Sequence, residues 1–371
     1  MTRASSHGRP LRDVPHPAGT DPAAGGGKAP GGMWWVAWRQ HRAQLAISLG
    51  LLVALALAWV VFRLALVSRL AELTGGDDSR CTSIEPSSGL SSDYCPEQVY
   101  GAVQAEFGTL WGLLRLGMLA LPLVLGAFVG APLFAREFEQ HTQVYVLTQS
   151  ISRMRWWATK VTVVAVPVVL GMIGVGLLME WASAPFAAYS YGSMNTPEFE
   201  TRGIIPAVFT ALTIALGVSA GIVLRSTVNA LAVTIVVAGM LVVVLGLVRP
   251  HLLTPDRIVN PVALSDSGTD GFHPDARSWF LDSGYLDAGG TPVDFSGSCP
   301  ALDAGPVSTT DDQVNHTRSD CLRDQGIVSE YIDYLPAERR TALQLAVTGI
   351  CAALTALILA AGVVVLRRRV L

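Results

Sequence analysis

Six long apolar runs alternate with polar segments along the chain, and each run has about 20 residues, the number that an α-helix needs to cross a hydrocarbon core of about 30 Å. This pattern predicts an all-α integral membrane protein with six transmembrane helices. Between the last two runs lies the long polar segment 249–341, where we expect an irregular loop domain with a short helix at "VSEYIDYL" (328–335). The six runs lie near 45–67, 111–134, 160–182, 204–224, 229–248 and 342–366.

The composition agrees with a membrane location. Of the 371 residues, 51% are hydrophobic and 15% are charged, whereas about 25% of the residues in soluble domains are charged. Residues 1–32 differ from the rest because they are rich in Gly, Pro, Ala and Ser. Such a segment cannot bury a core, so we expect a disordered tail there.

Residues 33–44 combine aromatic and basic side chains just before the first apolar run. Tryptophan next to arginine favours the headgroup region of a bilayer. We expect either an interfacial amphipathic helix along the membrane surface or a simple aromatic anchor. The side chains concerned are Trp34, Trp35, Trp38, Arg39, His41 and Arg42.

Basic residues are concentrated on one side of the six predicted spans, and cytoplasmic loops are the ones that carry an excess of Lys and Arg. The segments on that side, counted together with Lys160, hold fourteen Lys plus Arg against four Asp plus Glu; they are 1–44, 135–159, 225–228 and 367–371. The segments on the other side hold ten basic and twenty-four acidic residues; they are 68–110, 183–203 and 249–341. We therefore expect a multi-pass plasma-membrane protein with both termini in the cytoplasm.

Four of the five cysteines lie in two segments that this topology places outside the cell. Cys81 with Cys95 and Cys299 with Cys321 form local pairs, and an oxidising compartment favours disulfides between such pairs. Each disulfide would close a loop of roughly 15 to 23 residues, worth about 3 kcal/mol by chain entropy. Free thiols are the alternative. Cys351 lies in the last apolar run, where we expect a small packing residue.

Motifs of ATP-binding and zinc-dependent proteins are absent from the sequence. It contains neither a G-x-x-x-x-G-K-[ST] phosphate-binding loop nor an H-E-x-x-H zinc motif. We therefore expect no catalytic residue, no metal site and no cofactor on this chain.

Three ionisable residues fall within the apolar runs, where charged side chains are costly. Arg63, Arg115 and Glu180 all lie near the outer ends of their runs. At that shared depth the arginines can reach the outer headgroups and Glu180 can pair with one of them. The alternative is a polar lining at the outer exit of a substrate path.

The spans also contain small residues at helical spacing and several prolines. Gly126 with Gly130, and Gly217 with Gly221, are pairs that permit close contact between helices. Prolines that allow bends are Pro122, Pro132, Pro167 and Pro206.

The segment 135–159 between the second and third runs contains charged and aromatic residues. Residues 133–147 fit a helix with a stripe of Phe134, Phe138, His141 and Tyr145. Ser150 or Ser152 can then cap the next helix. The pattern predicts an amphipathic elbow followed by an interfacial anchor, an arrangement suited to docking a cytoplasmic partner.

The same segment carries a family resemblance. "GAFVGAPLFAREFEQHTQVYVLTQSISRMRWWATK" (126–160) closely resembles the signature of the permease subunits of actinobacterial type-2 ABC transporters. "VLRSTVNALAVTIVV" (223–237) and "LVRPHLLTP" (247–255) resemble later stretches of that family. The resemblance extends from about residue 33 to the end. His141 and Ser226 depart from the family pattern.

The resemblance implies a six-span permease that dimerises with a second copy or a sister permease and binds separate ATPase subunits, which would hold ATP and Mg. The loop after the second span would form the coupling helix. The positions that match the family motif, and are therefore the candidate ATPase-coupling residues, are Arg136, Glu137, Glu139, Thr142, Thr148, Gln149, Ser150, Arg153, Arg155 and Trp156.

The functional hypothesis from the sequence is a membrane-spanning ABC transporter permease, an exporter driven by ATP hydrolysis on a partner subunit. The first alternative is a membrane sensor or immunity protein with a disulfide-bearing external loop and no ATPase partner. An ion- or proton-driven carrier is a second alternative, although only three ionisable residues occupy the spans. Membrane lipids are expected as partners, and nucleic acid is not.

Overall fold

A computed structural model of the chain describes residues 32–74, 97–140, 152–185, 194, 197–262, 278–294 and 320–369. Six of its helices are long and apolar enough to cross a membrane, which confirms the predicted six-helix architecture. They are α1 (Gly32–Thr74), α2 (Glu97–Leu125), α4 (Arg153–Ser183), α6 (Ile205–Leu224), α7 (Thr227–Val248) and α8 (Arg340–Arg369). The short helices are α3 (Pro132–Glu139), which continues α2 after a π-helical segment at Gly126–Gly130, and α5 (Glu198–Thr201).

The bundle has two ends that are named here by their contents. The terminal end is where α1 begins, α3 ends, α6 turns into α7 and α8 ends. The sheet end carries α5, the 3₁₀ turns Arg249–His251 and Ala337–Arg339, and a small β-sheet. Both ends contain buried charged residues.

Helix α1 is longer than the sequence predicted. We expected either a surface helix or a simple aromatic anchor at 33–44. The structure shows no separate surface helix, because α1 runs through these residues and into the first span without a break. No glycine, proline or capping residue interrupts "RQHRAQLA" (39–46), so the helix has no local reason to stop there. Trp34, Trp35 and Trp38 are exposed on its first turns.

Helix α6 lies at the centre of the bundle. It contacts α2, α4, α7 and α8, together with the π-helical segment and α3. Its most apolar window is 61% buried, against 11% for α7 and 17% for α8. The peripheral helices therefore present apolar faces to the membrane, while α6 packs on protein.

The two small-residue pairs lie where the π-helical segment crosses α6, and the spacing of these glycines had indicated only that each pair permits close helix contact. A Cβ at Gly130 would lie 2.6 Å from the Ile214 carbonyl oxygen, and one at Gly221 would lie 2.6 Å from the Ala131 carbonyl oxygen. A Cβ at Gly217 would collide with the backbone of Gly126 and Gly130. The π-helical segment and α6 thus cross with their backbones in contact.

The segment 249–341 contains a four-stranded antiparallel sheet, so the prediction of an irregular loop domain was wrong. The strands are β1 (Asp256–Pro261), β2 (Trp279–Asp287), β3 (Pro292–Val293) and β4 (Ile327–Leu335), in the order β1-β4-β2-β3. The expected short helix at "VSEYIDYL" is therefore part of strand β4. Ile327, Tyr331 and Leu335 are its buried positions, and their spacing of four also suits a helix. The segment forms a strand and not a helix because its backbone pairs with β1 and β2, which are distant in the sequence.

Side chains reinforce the pairing of β1 with β4. The Arg257 guanidinium donates two hydrogen bonds of 2.6 Å to the two carboxylate oxygens of Asp333 and lies 4.2 Å from the centre of the Tyr331 ring. These hydrogen bonds hold the pKa of the Asp333 carboxyl below its ordinary value.

The cysteine predictions are tested only in part. Cys321 is disulfide-bonded and packs beside Val262, Leu322 and Ile327. Cys81, Cys95 and Cys299 lie outside the described residues, so both pairings stay predictions. Cys351 is a free, buried thiol in the core between α8 and its neighbours, as expected of a packing residue.

Candidate functional site

A buried ion pair joins three helices at the terminal end. Lys160 of α4 donates to the Oε1 atom of Glu137 on α3, and the Gln40 side chain of α1 donates to the same oxygen at 2.6 Å. Glu137 is 8% exposed and Lys160 is 4% exposed. Charges buried to this degree are retained only when paired, so this contact ties α1, α3 and α4 together.

Aromatic rings surround the ammonium group of that pair. The rings of Phe134 and Trp156 pack edge to face with their centres 5.1 Å apart. The Lys160 Nζ atom lies 4.9 Å from the centre of the Trp156 ring and 5.9 Å from that of Phe134. Both rings present electron-rich faces within cation–π range, which gives the buried Lys160 a second stabilising contact.

A second carboxylate of α3 fixes the turn between α6 and α7. Glu139 accepts hydrogen bonds of 2.7 Å from both the backbone N–H and the hydroxyl of Thr227, the first residue of α7. The start of a helix has unpaired N–H groups and a partial positive charge, so a carboxylate is favourable there. The end of α3 is therefore attached to the start of α7.

The turn itself has a constrained backbone. Arg225 adopts a positive φ of 53° at the end of α6, and its guanidinium lies 5.7 Å from the centre of the Phe138 ring on α3. Ser226 then caps α7 by accepting from the backbone N–H of Asn229. The departure from the family pattern at position 226 thus supplies a helix cap.

The ten predicted coupling residues divide into three groups. Glu137 and Trp156 point into the bundle, whereas Arg136 and Arg155 are exposed and Arg153 is half-buried. Glu139 is exposed but bonded to Thr227. Thr142, Thr148, Gln149 and Ser150 lie outside the described residues. Of the two predicted caps, Ser152 is confirmed, because its side chain accepts from the backbone N–H of Arg155 at 3.3 Å.

Sequence reasoning missed the partners of the two carboxylates. Gln40 is 97 residues away from Glu137 in the sequence, and Lys160 is 23 residues away from it. Thr227 is 88 residues away from Glu139. No local pattern links residues so far apart. The available signal was Lys160 itself, a charged residue at the start of an apolar run.

A second group of buried charges lies at the sheet end. Glu198 of α5 pairs with Arg115 of α2 and, at 3.1 Å, with Arg202. Burial lowers the pKa of Arg202 below its ordinary value, and the neighbouring Glu198 opposes that shift. The short helix α5 therefore places the Glu198 side chain inside the bundle, where it neutralises two arginines.

The predicted pairing of Glu180 was wrong. Glu180 pairs at 2.8 Å with Arg340, the first residue of α8, and with neither Arg63 nor Arg115. Arg63 instead donates to the Trp181 carbonyl at 2.6 Å, and its guanidinium lies 4.1 Å from the centre of the Trp181 ring. The shared position of Arg63, Arg115 and Glu180 near the outer ends of their helices could not show that α5 and α8 bring further charged residues, Glu198 and Arg340, to the same end of the bundle.

Arg249 completes this group. It pairs at 2.6 Å with Glu200, and both side chains are buried. Its guanidinium also lies 4.6 Å from the centre of the Phe199 ring and 5.0 Å from that of Trp279. Arg249 thereby joins the end of α7 to α5 and to strand β2. The topology predicted from the sequence places five of these charged residues in outer loops, namely Glu198, Glu200, Arg202, Arg249 and Arg340.

Side chains from two helices satisfy the backbone around the π-helical segment. Pro132 has no N–H and cannot donate to the Phe128 carbonyl four residues earlier. The Gln44 side chain donates to that carbonyl at 2.8 Å and to the Val129 carbonyl at 3.0 Å. On the other side, the Thr213 hydroxyl of α6 donates to the Pro122 carbonyl at 2.6 Å.

Removing either donor is expected to destabilise the bundle. Gln44→Leu and Thr213→Val each leave a backbone carbonyl without its donor at membrane depth, at a cost of about 1 kcal/mol. Thermal unfolding of the purified protein in detergent would show a lower midpoint for both variants. Thr162→Val is the control, because the Thr162 hydroxyl donates to the Ala158 carbonyl within its own helix. An equal shift in all three variants would contradict the prediction.

One stretch of α6 has the letters of a catalytic motif without the structural setting that the motif needs. Gly217-Val218-Ser219-Ala220-Gly221 has the letters of a G-x-S-x-G nucleophile elbow, but that motif needs a strand-to-helix turn. Here it lies inside α6, and the Ser219 hydroxyl donates to the Ile358 carbonyl at 3.0 Å. Within the described ranges, no group of three or more His, Cys, Asp and Glu side chains is placed to hold a metal ion.

Comparison with known protein families identifies a family that covers most of the spanning helices. A family model described as ABC-2 membrane transporter related matches residues 49–249, more than half of the chain. The matched region includes the Glu137–Lys160 pair, the Glu139–Thr227 contact and the glycine crossing. Neither a curated protein nor a solved structure is significantly similar to the chain.

Proposed function

The chain belongs to the ABC-2 membrane transporter related family, and we propose that it is the permease subunit of an exporter driven by ATP hydrolysis on a separate nucleotide-binding subunit. It is a multi-pass membrane protein, the transporter's membrane subunit. ATP and Mg would be held by the partner, and no residue of this chain is given a catalytic role. A second copy or a sister permease would complete the assembly.

The observation that carries this proposal is the set of contacts around α3. Its Glu139 is bonded to the first residue of α7, and its Glu137 is bonded to α4 and α1. A force applied at the end of α3 would therefore reach three spanning helices through specific hydrogen bonds. This is the mechanical requirement for a coupling element, which must pass motion from a docked ATPase into the bundle.

The docking surface would lie on the exposed residues at the terminal end. Arg136 lies in the last turn of α3 and Arg155 in the first turn of α4, and both are exposed on either side of the segment 141–151. In this orientation the terminal end faces the cytoplasm, consistent with its excess of basic residues. Substrate would pass through the bundle or its dimer interface, and the buried ion pairs at the sheet end would hold the outer side of that path.

Affinity purification tests the proposal. Tagged full-length protein from native membranes in mild detergent is expected to bring down a nucleotide-binding subunit, detected by mass spectrometry. Arg153→Glu/Arg155→Glu should lower its recovery by about tenfold, because each reversal replaces attraction by repulsion at the docking surface. Neither side chain makes an ion pair that the bundle needs among the described contacts.

The control is a charge reversal of the same size at the same end of the bundle. Arg367→Glu/Arg368→Glu changes two exposed arginines at the end of α8 and should leave recovery of the ATPase unchanged. If wild-type protein brings down no nucleotide-binding subunit, the exporter proposal fails and the sensor or immunity alternative gains. If both double variants lose it equally, the docking surface is misplaced.

A further inference from the structure

A cavity of 1220 Å³ opens between the first half of α1, the α2–α3 helix and the start of α4. Most of its wall is apolar. The side chains of Ile47, Leu51, Val124 and Phe128 line it and remain exposed. Its volume is above the range of about 300–1,000 Å³ typical of small-molecule sites, so it is large enough for a long aliphatic chain.

The end of the cavity nearest the terminal end of the bundle is polar. Arg136 of α3 and Gln140, which follows that helix, lie there together with Gln40 and His41 of α1. His41 is buried. Its Nδ1 atom lies 3.3 Å from Gln44 Oε1, and its Nε2 atom has no hydrogen-bond partner within the described part of the chain.

The charge of this polar end is positive. Glu137 is the one carboxylate among the described residues that line the cavity, and Lys160 neutralises it. Arg136 is exposed at the rim, and the α1 residues Arg39 and Arg42 are exposed nearby in sequence. An anionic group placed here would meet basic side chains without a competing free carboxylate.

We propose that this cavity binds an anionic membrane phospholipid. One acyl chain lies along the apolar wall formed by α1 and α2, and the phosphate is bound at Arg136. Arginine presents several N–H donors in a fork that fits phosphate oxygens, and the apolar wall lies at the depth of a spanning helix. A soluble anion could pair with Arg136 but could not cover that wall, whereas the acyl chain of a phospholipid fills the apolar length of the cavity. The site does not depend on the proposed transport function.

Photo-crosslinking in vesicles tests the proposal directly. Full-length protein is reconstituted in phosphatidylcholine vesicles that contain a phosphatidylglycerol analogue with a photoactivatable group on its acyl chain. Labelled peptides are mapped by mass spectrometry. We expect labelling at Ile47, Leu51 and Phe128 about fivefold above that at Val236 and Met240, exposed residues of α7, because a bound lipid stays beside its site.

Two variants separate the head and chain contacts. Arg136→Gln should lower cavity labelling about fivefold, as expected for loss of a charge-assisted hydrogen bond, whereas Arg155→Gln, an exposed arginine outside the cavity, should not. Ile47→Trp should lower labelling at Leu51 and Phe128 by filling the cavity. Leu113→Trp, on an exposed position of α2 outside the cavity wall, should have no effect. Size-exclusion profiles matching wild type establish that each variant is folded.

Several outcomes would overturn the proposal. Labelling spread evenly around the bundle would show ordinary bulk lipid. Equal labelling by a photoactivatable phosphatidylcholine would show that the cavity has no preference for an anionic headgroup. Equal loss of labelling in Arg136→Gln and Arg155→Gln would show that Arg136 does not bind the phosphate. Crosslinks from groups introduced at Ile47 to residues 1–31, to residues 141–151 or to a second copy would identify a protein segment as the occupant instead.

Discussion

Gly217→Ala is expected to lower the stability of the bundle by about 1–3 kcal/mol, since overpacking at a rigid contact leaves no low-energy adjustment. The new Cβ would lie 2.6 Å from the Ala131 nitrogen and 2.9 Å from the Gly130 carbonyl carbon. These are backbone atoms, so no side-chain rotation can relieve the collision. The π-helical segment and α6 must separate, and the midpoint of thermal unfolding in detergent should fall.

The chain supplies a matched control for this prediction. Gly239 lies in α7, and a Cβ there would meet nothing within 4 Å. Gly239→Ala should therefore leave stability unchanged or raise it, because alanine favours a helix over glycine by about 1 kcal/mol. Similar midpoints for the two variants would show that the helices do not cross at Gly217 as described.

The second large effect is expected at the buried pair of the terminal end. Glu137→Leu leaves the Lys160 ammonium buried without its carboxylate, and breaking a buried pair costs about 3–5 kcal/mol. Lys160→Met should lower the stability by a comparable amount, because it leaves the Glu137 carboxylate buried without its ammonium partner. The double variant Glu137→Leu/Lys160→Met replaces both charges by apolar groups and should recover most of the loss. Yield of folded protein and the unfolding midpoint measure all three.

The exposed ion pair between Arg69 and Glu72 is the control. Glu72→Leu makes the same chemical change on the surface, where ion pairs contribute little, so stability should hardly change. If Glu137→Leu is as stable as wild type but fails to recover the ATPase, the carboxylate contacts the partner and not Lys160. Stability and partner recovery therefore distinguish an internal role for Glu137 from a docking role.

The parts of the fold that the sequence predicted are those governed by local patterns. The six spans follow from runs of apolar residues. Small residues at helical spacing indicated that Gly126, Gly130, Gly217 and Gly221 permit close helix contact, although the spacing did not show that the π-helical segment and α6 are the two elements that cross. The strand β4 was misread because its buried residues recur every fourth position, and its hydrogen-bond partners β1 and β2 lie elsewhere in the chain.

The candidate site was located by its motif but not resolved into roles. The motif identified α3 and the start of α4, yet it could not show that Glu137 points inward to Lys160 while Arg136 points outward. Likewise, Glu180 and Arg340 lie 160 residues apart. Ion pairs of this kind depend on how whole helices are placed, which one sequence does not specify.

Helix α1 has 43 residues and is therefore about 64 Å long, roughly twice the thickness of the hydrocarbon core. It extends past the membrane on at least one side as a rigid rod. If such a rod pivots by roughly 5° about its middle, each end moves by roughly 3 Å in opposite directions. A displacement of Gln40, near the first end of α1, would then move Arg63 and Arg69, near the second end, in the opposite direction. In this way α1 can act as a lever arm between the two membrane surfaces.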